Sequence, residues 1–190
     1  KPFQPGEREA KIQRVERERA LRQEMLALAT RDALTGLGNR RHFHDTLDRE
    51  AVRARRQRHP LSLVVADLDH FHAYNARHGR EAGDQLLIRI GEVVTSSLRR
   101  QVDGAFRLGG DDFALLLVEC DAAEARLVAK RVIGAVARMD ELDVGVSLGV
   151  ATLEEDEGPE HLFYRAESAC VRARALGGDR IELAGPDDEP

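Results

Sequence analysis

Four aspartates and two glycines, set where apolar runs end, carry the chemistry that this chain offers. Leu61-Ser-Leu-Val-Val-Ala-Asp-Leu-Asp69 is an apolar run closed by two acids. In Arg107-Leu-Gly-Gly-Asp-Asp-Phe-Ala-Leu-Leu-Leu-Val118, a Gly109-Gly110-Asp111-Asp112 turn sits between apolar segments. Strand side chains alternate, so Asp67 and Asp69 share a face. A hairpin that brings Asp111 and Asp112 beside Asp67 makes an oxygen-rich pocket for a hard cation such as magnesium. Carboxylates that close together repel one another unless a cation joins them, and such a cation can bridge phosphates and activate a hydroxyl. Gly109 and Gly110, lacking Cβ, let a ligand come close to the backbone.

A second group follows the first run. Phe71-His-Ala-Tyr-Asn75 leads into Gly79, Gly83 and Asp84. Asn75 offers a donor and acceptors, Asp84 acceptors only, which together complement the N–H groups on a guanine edge. Each feature alone has an ordinary reading. Gly-Gly-Asp-Asp is also a hairpin turn, Asp69 a solvated strand end, and Asn75 or Asp84 a helix cap. Their order along the chain, with a buried strand before the first acids, favours a site. The pairs His42/His44 and His70/His72 carry no zinc expectation, since the first falls in a predicted helix where i, i+2 side chains diverge.

The elements that must position these residues read as follows. Residues 40–57 are helical and Pro60 stops them. Leu61–Asp67 is a buried strand. Residues 82–99 place Leu86, Leu87, Ile90, Val93, Val94 and Leu98 at helical spacing. Gly104–Leu108 and Phe113–Glu119 form the hairpin, Ala122–Met139 a helix, Val144–Ala151 a strand, Glu160–Leu176 a helix and Arg180–Leu183 a last short strand. The expectation is one α/β domain over residues 31–183, helices covering a mixed central sheet. Residues 1–30 read as a helical stalk. Ile12/Val15 and Met25/Leu28 have a/d spacing, but Arg19 and Arg22 break the register, so an interrupted coiled coil pairing two chains competes with a solvated helix. Residues 184–190 read as a frayed acidic tail.

The chain has 190 residues, 42% hydrophobic and 33% charged, with net charge −5. That suits one core plus an appendage and argues against DNA or RNA binding through a basic surface. Cys120 and Cys170 lack a CxxC pattern and read as buried, reduced thiols, which suits a cytoplasmic setting. No apolar run reaches a membrane span and no signal peptide is visible. The opening Lys1-Pro-Phe suits a piece of a longer protein, with any sensor or membrane anchor in the upstream part.

Taken together, Asp32-Ala-Leu-Thr-Gly-Leu-Gly-Asn-Arg-Arg41, Asp67-Leu-Asp-His-Phe71, Asn75, Gly83-Asp84, Arg107-Leu-Gly-Gly-Asp-Asp-Phe113, Val146-Ser-Leu-Gly149 and Arg165-Ala-Glu167 closely resemble the GGDEF domain of diguanylate cyclases. The resemblance covers residues 31–183. It implies a fold like the polymerase palm and class III adenylyl cyclases, and condensation of two GTP into cyclic di-GMP with release of pyrophosphate. It implies a homodimer with one substrate per subunit. By the same resemblance Asp67, Asp111 and the Leu68 carbonyl would bind Mg²⁺ (or Mn²⁺), and Asp112 would stand near the 3′-hydroxyl. Gly109 and Gly110 would lie against GTP, Asn75 and Asp84 would read guanine, and Phe71, His72 and Arg174 would face phosphates. Arg100-Gln-Val-Asp103 matches the family's RxxD motif, an inhibitory site for the product. Its ordinary reading is a surface ion pair at a helix–strand junction.

The chain departs from the family pattern in several places. Asp112 is one methylene shorter than the usual glutamate, and a displacement of roughly 1 Å can cost ~10²-fold in rate. His72 stands for a lysine, Ala76 for an aspartate, Arg80 for a histidine and Val171 for a tyrosine. Gly178-Asp179 stands for Arg-Asn. The expectation is GTP binding with slower cyclisation. The alternative is a degenerate domain that acts as a cyclic di-GMP or GTP receptor.

Overall fold

A computed structural model describes residues 13–18, 29–139, 144–185 and 188. The apolar run at 61–68 forms β1 (Leu61–Leu68), buried along its whole length because both of its faces are covered. Odd positions Leu61, Leu63 and Val65 pack with Phe43, Leu47 and Ala51 of α1 (Arg40–Gln57) and with Leu162 and Ala166 of α5 (Pro159–Ala175). Even positions Val64, Ala66 and Leu68 pack with Leu86, Leu87 and Ile90 of α3 (Arg80–Ser96) and with Ala125 and Val128 of α4 (Ala122–Val136). Period-2 alternation thus feeds two separate cores, one on each side of the sheet.

The sheet has five strands in the order β2-β3-β1-β4-β5. These are β2 (Gly104–Gly109), β3 (Asp112–Val118), β4 (Val146–Thr152) and β5 (Ile181–Leu183), with β1 in the centre. β1 runs antiparallel to both β3 and β4, β2 antiparallel to β3, and β5 parallel to β4. This is the expected mixed sheet flanked by helices.

One element was not expected. α2 (Phe71–His78) follows β1 directly, and Gly79 (φ 89°) is at once its C-cap and the N-cap of α3. α2 buries no side chain, so it leaves no apolar periodicity to read. Other boundaries move by a few residues: α3 starts at Arg80, α4 ends at Val136 and β4 starts at Val146.

Within the expected stalk, residues 13–18 are helical, with an exposed Arg14–Glu18 pair at 3.1 Å. Ile12, Met25 and Leu28 lie outside the described residues. In the expected tail, Ala184 N–H donates to the Val150 carbonyl at 2.8 Å, and the Asp188 carboxylate accepts from Arg172 and from Gly185 N–H. Among the described residues no helix is long and apolar enough to cross a membrane.

Candidate active site

Asp67 is the last inward residue on the α1/α5 side of β1. The strand register sets it opposite Asp112 on β3 and Ser147 on β4. The β2–β3 turn supplies Asp111. Gly109 (φ 139°) and Gly110 (φ 54°) hold backbone angles that side chains disfavour, which explains the two glycines. The three acids converge on an open groove of about 610 Å³, walled by Arg40 at the start of α1, Leu108, and the Tyr164–Arg174 face of α5.

Burial pushes the Asp67 carboxyl up to about 7, opposed by Arg174 and reinforced by Asp111 and Asp112. Asp111 is raised as well, again first by burial, with Asp112 adding to it. Arg174 Nη1 donates to Asp67 Oδ2 at 2.6 Å. Asp67 Oδ1 is buried and has no hydrogen-bond partner among the described residues. An acid with one orphaned oxygen, in a cluster that resists further negative charge, fits a divalent cation. Among the described residues, no three His, Cys, Asp or Glu side chains form a ready ligand cage.

The other expected residues fall in different places. Asn75 and Asp84 gather at the α2–α3 corner and do not wall the groove. A Cβ on Gly83 would lie 1.7 Å from Asn75 Oδ1, so the glycine is what lets that side chain lie down. Asn75 Oδ1 is another buried oxygen without a hydrogen-bond partner among the described residues, and the nearby Asp84 is exposed. Phe71 packs its ring against the core, His72 is exposed, and the buried Leu68 side chain leaves only a carbonyl to offer.

Asp69 is neither a solvated strand end nor part of the groove. It is buried, and its carboxylate accepts from Ser147 Oγ and Asp179 N–H, both at 2.7 Å. It fastens the loop after α5. A Cβ on Gly178 (φ 73°) would stand 2.7 Å from the Asp69 carboxyl carbon, which accounts for a glycine at that position. Asp103 is taken as well. Its side chain is 2% exposed and pairs with Arg99 rather than Arg100. Arg100 is exposed.

Some supporting residues carried no role in the sequence reading. Arg107 donates through Nε and Nη2 to the Gly110 carbonyl (3.0 and 2.7 Å) and through Nη1 to Asp32 (3.1 Å). Asp32 also accepts from the Thr35 N–H and hydroxyl. Burial works against ionisation of Asp32, but these bonds outweigh it and hold its carboxyl below the usual range. Arg107 thereby ties the Asp32–Asn39 turn to the Gly-Gly turn. Its opposite charge to Asp32 was the one available signal. Arg165, buried, grips Glu157 in a fork (2.8 and 3.2 Å) and fixes the start of α5. Both cysteines are buried and free, and burial pushes Cys120 up to about 11 and Cys170 up to about 12.

Comparison with known proteins follows the same lines. The family model for "Diguanylate cyclase, GGDEF domain" matches residues 29–180. The chain is 36% identical over 165 residues to diguanylate cyclase DgcS of Shewanella oneidensis, covering 85% of this chain and 55% of that protein. It is 34% identical over 165 residues to diguanylate cyclase DgcP of Pseudomonas aeruginosa, covering 82% and 24%. It thus spans about half or less of these curated relatives. Among solved structures it resembles the coiled coil and GGDEF domain of DgcB from Caulobacter crescentus in complex with c-di-GMP. That likeness has a TM-score of 0.86 at 27% identity and covers 94% of this chain and 98% of that one.

Proposed function

The chain belongs to the GGDEF-domain family of diguanylate cyclases, and from that premise we propose that it condenses two GTP into cyclic di-GMP across a homodimer. The observation that carries this reading is the convergence of Asp67, Asp111 and Asp112 on one groove, with a buried Asp67 oxygen left over. Asp67, Asp111 and the Leu68 carbonyl would hold Mg²⁺ or Mn²⁺, which when bound neutralises phosphoryl charge and lowers the pKa of the attacking hydroxyl.

The chain's own groups do the rest. Asn75 and Asp84 bind the guanine edge. The Gly109–Gly110 backbone lies along the nucleotide, held in place by Arg107. Arg174, His72 and the backbone at Phe71 meet the phosphates. Asp112 takes the proton of the 3′-hydroxyl. The 3′-oxygen of one GTP then bonds to the α-phosphorus of the other while the bond to pyrophosphate breaks, and the reciprocal step closes the ring. Holding two substrates in line is worth on the order of 7–11 kcal/mol of barrier. The shortened Asp112 and the missing cation at Gly178 make the reaction slow for the family. Product binds back at the turn that carries Arg100 and Asp103 and inhibits, with exposed Arg100 making the contact and buried Asp103 holding the turn. A GTP-consuming enzyme with reduced thiols suits the cytoplasm, and the 1–30 stalk would pair the subunits.

The test is GTP turnover with Mg²⁺ on protein stripped of bound nucleotide, following cyclic di-GMP and pyrophosphate by chromatography. We expect both products from the wild type and neither from Asp111→Ala. GTP or cyclic di-GMP binding without product, even with a dimerising fusion at the N-terminus, would replace the cyclase with a nucleotide receptor.

A further inference from the structure

Arg174 occupies a position that the cyclase reading does not explain. A phosphate-facing cation has no need to be committed elsewhere. Yet its Nη1 lies 2.6 Å from Asp67 Oδ2, and Asp67 is its one hydrogen-bonded partner among the described residues. The two side chains differ sharply in freedom: Asp67 is 8% exposed and Arg174 is 52% exposed. The helix beneath Arg174 is seated closely on the sheet. A Cβ on Gly149 would meet the Ala166 carbonyl at 2.0 Å and Cys170 N at 2.2 Å, so α5 lies directly on β4. Arg165 clamps its other end to Glu157. Only the Arg174 side chain, at the last turn of α5, is free to swing.

A divalent cation on Asp67 would meet the guanidinium on the same carboxylate. Like charges a few ångströms apart repel, and solvent at the half-exposed Arg174 screens that repulsion to a modest size. Two cations on one carboxylate weaken each other's hold.

We propose that Arg174 is an exchangeable counter-ion: it competes with a divalent cation for Asp67, and the cation's arrival together with a nucleoside triphosphate transfers the guanidinium to the phosphates. This rests on the carboxylate-site reading above. Arg174 then opposes the free cation and favours the cation–nucleotide complex, because the phosphates return the hydrogen bonds that Asp67 gives up. The site selects the complex over either part alone.

The test is Mn²⁺ binding followed by electron paramagnetic resonance, with no turnover needed. Wild type, Arg174→Gln, Arg174→Lys and Asp67→Asn are titrated without nucleotide and then with a non-hydrolysable GTP analogue. We expect Arg174→Gln to bind free Mn²⁺ ~3–10-fold more tightly than wild type, and the Mn²⁺–nucleotide complex less tightly. Arg174→Lys, which keeps the charge, stays near wild type for the free ion. Matching thermal melts of the Gln and Lys variants establish that both are folded. If Arg174→Gln binds free Mn²⁺ no better than wild type, or not at all, while Asp67→Asn loses it, the exchange is wrong and the carboxylate site stands. If Asp67→Asn keeps wild-type Mn²⁺ binding, the carboxylate site fails and the exchange fails with it.

Discussion

Asp103 shows how one side chain can serve the fold at a position that sequence assigns to a ligand. Its carboxylate accepts from the Arg99 backbone N–H (2.9 Å), from Arg99 Nε and Nη2 (3.0 and 2.8 Å), and from Val118 N–H (3.3 Å). It therefore closes the turn between α3 and β2 and ties it to β3. Arg100, the other half of the motif, is exposed. The two positions should separate by experiment. Asp103→Ala removes charge-assisted bonds and strands a strand N–H, so it should lose about 1–3 kcal/mol of stability in urea melts. Arg100→Ala should stay within ~0.5 kcal/mol of wild type. Both should weaken cyclic di-GMP binding by calorimetry, Arg100→Ala by removing the contact and Asp103→Ala by loosening the turn that presents it. An Asp103→Ala protein as stable as wild type would show that the Arg99 pair does not hold the turn. The motif's letters were legible in the sequence, but the choice between adjacent arginines was not. It depends on which guanidinium the helix end turns toward a carboxylate buried beneath β3.

Among the elements, α5 fixes the site's dimensions, since it carries Arg174 across from the carboxylates. Its seat is Gly149 on β4, where the helix backbone comes within the space that a methyl group would fill. Gly149→Ala forces the helix outward, and overpacking of this kind typically costs about 1–3 kcal/mol. The more telling expectation is functional. The Arg174–Asp67 pair spans that same gap, so GTP binding should fall together with stability. By contrast, an alanine at Gly158, the N-cap of α5, where a Cβ meets nothing within 4 Å, should cost at most about 1 kcal/mol as a poorer cap and leave GTP binding unchanged. Fluorescence binding with a labelled GTP analogue, read beside thermal melts, checks both, and unaltered binding in Gly149→Ala would show that α5 does not set the site.

Elements with a strong apolar rhythm were read correctly from sequence. β1, the β2–β3 hairpin and α3 to α5 fall within a few residues of expectation, because burial on a fixed face imposes a period. α2 escaped because an eight-residue helix with no buried side chain has no rhythm to show. The turn acids were legible by type and spacing. The Arg174–Asp67 pair, 107 residues apart in sequence, and the inward turn of Asp69 were not, since only the packed sheet brings their partners together.

For the molecule as a whole, the decisive quantity is how many half-sites meet. On the proposed reading one subunit presents one carboxylate groove and, at Asn75 and Asp84, one corner for guanine, whereas the proposed reaction joins two nucleotides head to tail. On that reading a monomer would bind one GTP and have no second α-phosphate within reach. Net charge −5 gives like subunits no long-range attraction, so association falls to specific contacts and to the segment before residue 31. Of its described residues, 13–18 are helical and polar, with Val15 exposed, and so offer little apolar surface for pairing. Weak association predicts that specific activity rises with protein concentration across a roughly hundredfold dilution series. Fusing a parallel two-stranded zipper ahead of residue 1 should remove that dependence, because tethering raises effective concentration to about the millimolar range. Through the helical stalk expected from sequence, shifting the zipper by one to three residues would rotate the two domains relative to each other at about 100° per residue. Activity should therefore oscillate with insertion length while GTP affinity per subunit stays constant. Specific activity independent of dilution, together with indifference to zipper register, would mean that the two half-sites meet without the stalk, and the switch would have to be sought at the groove itself.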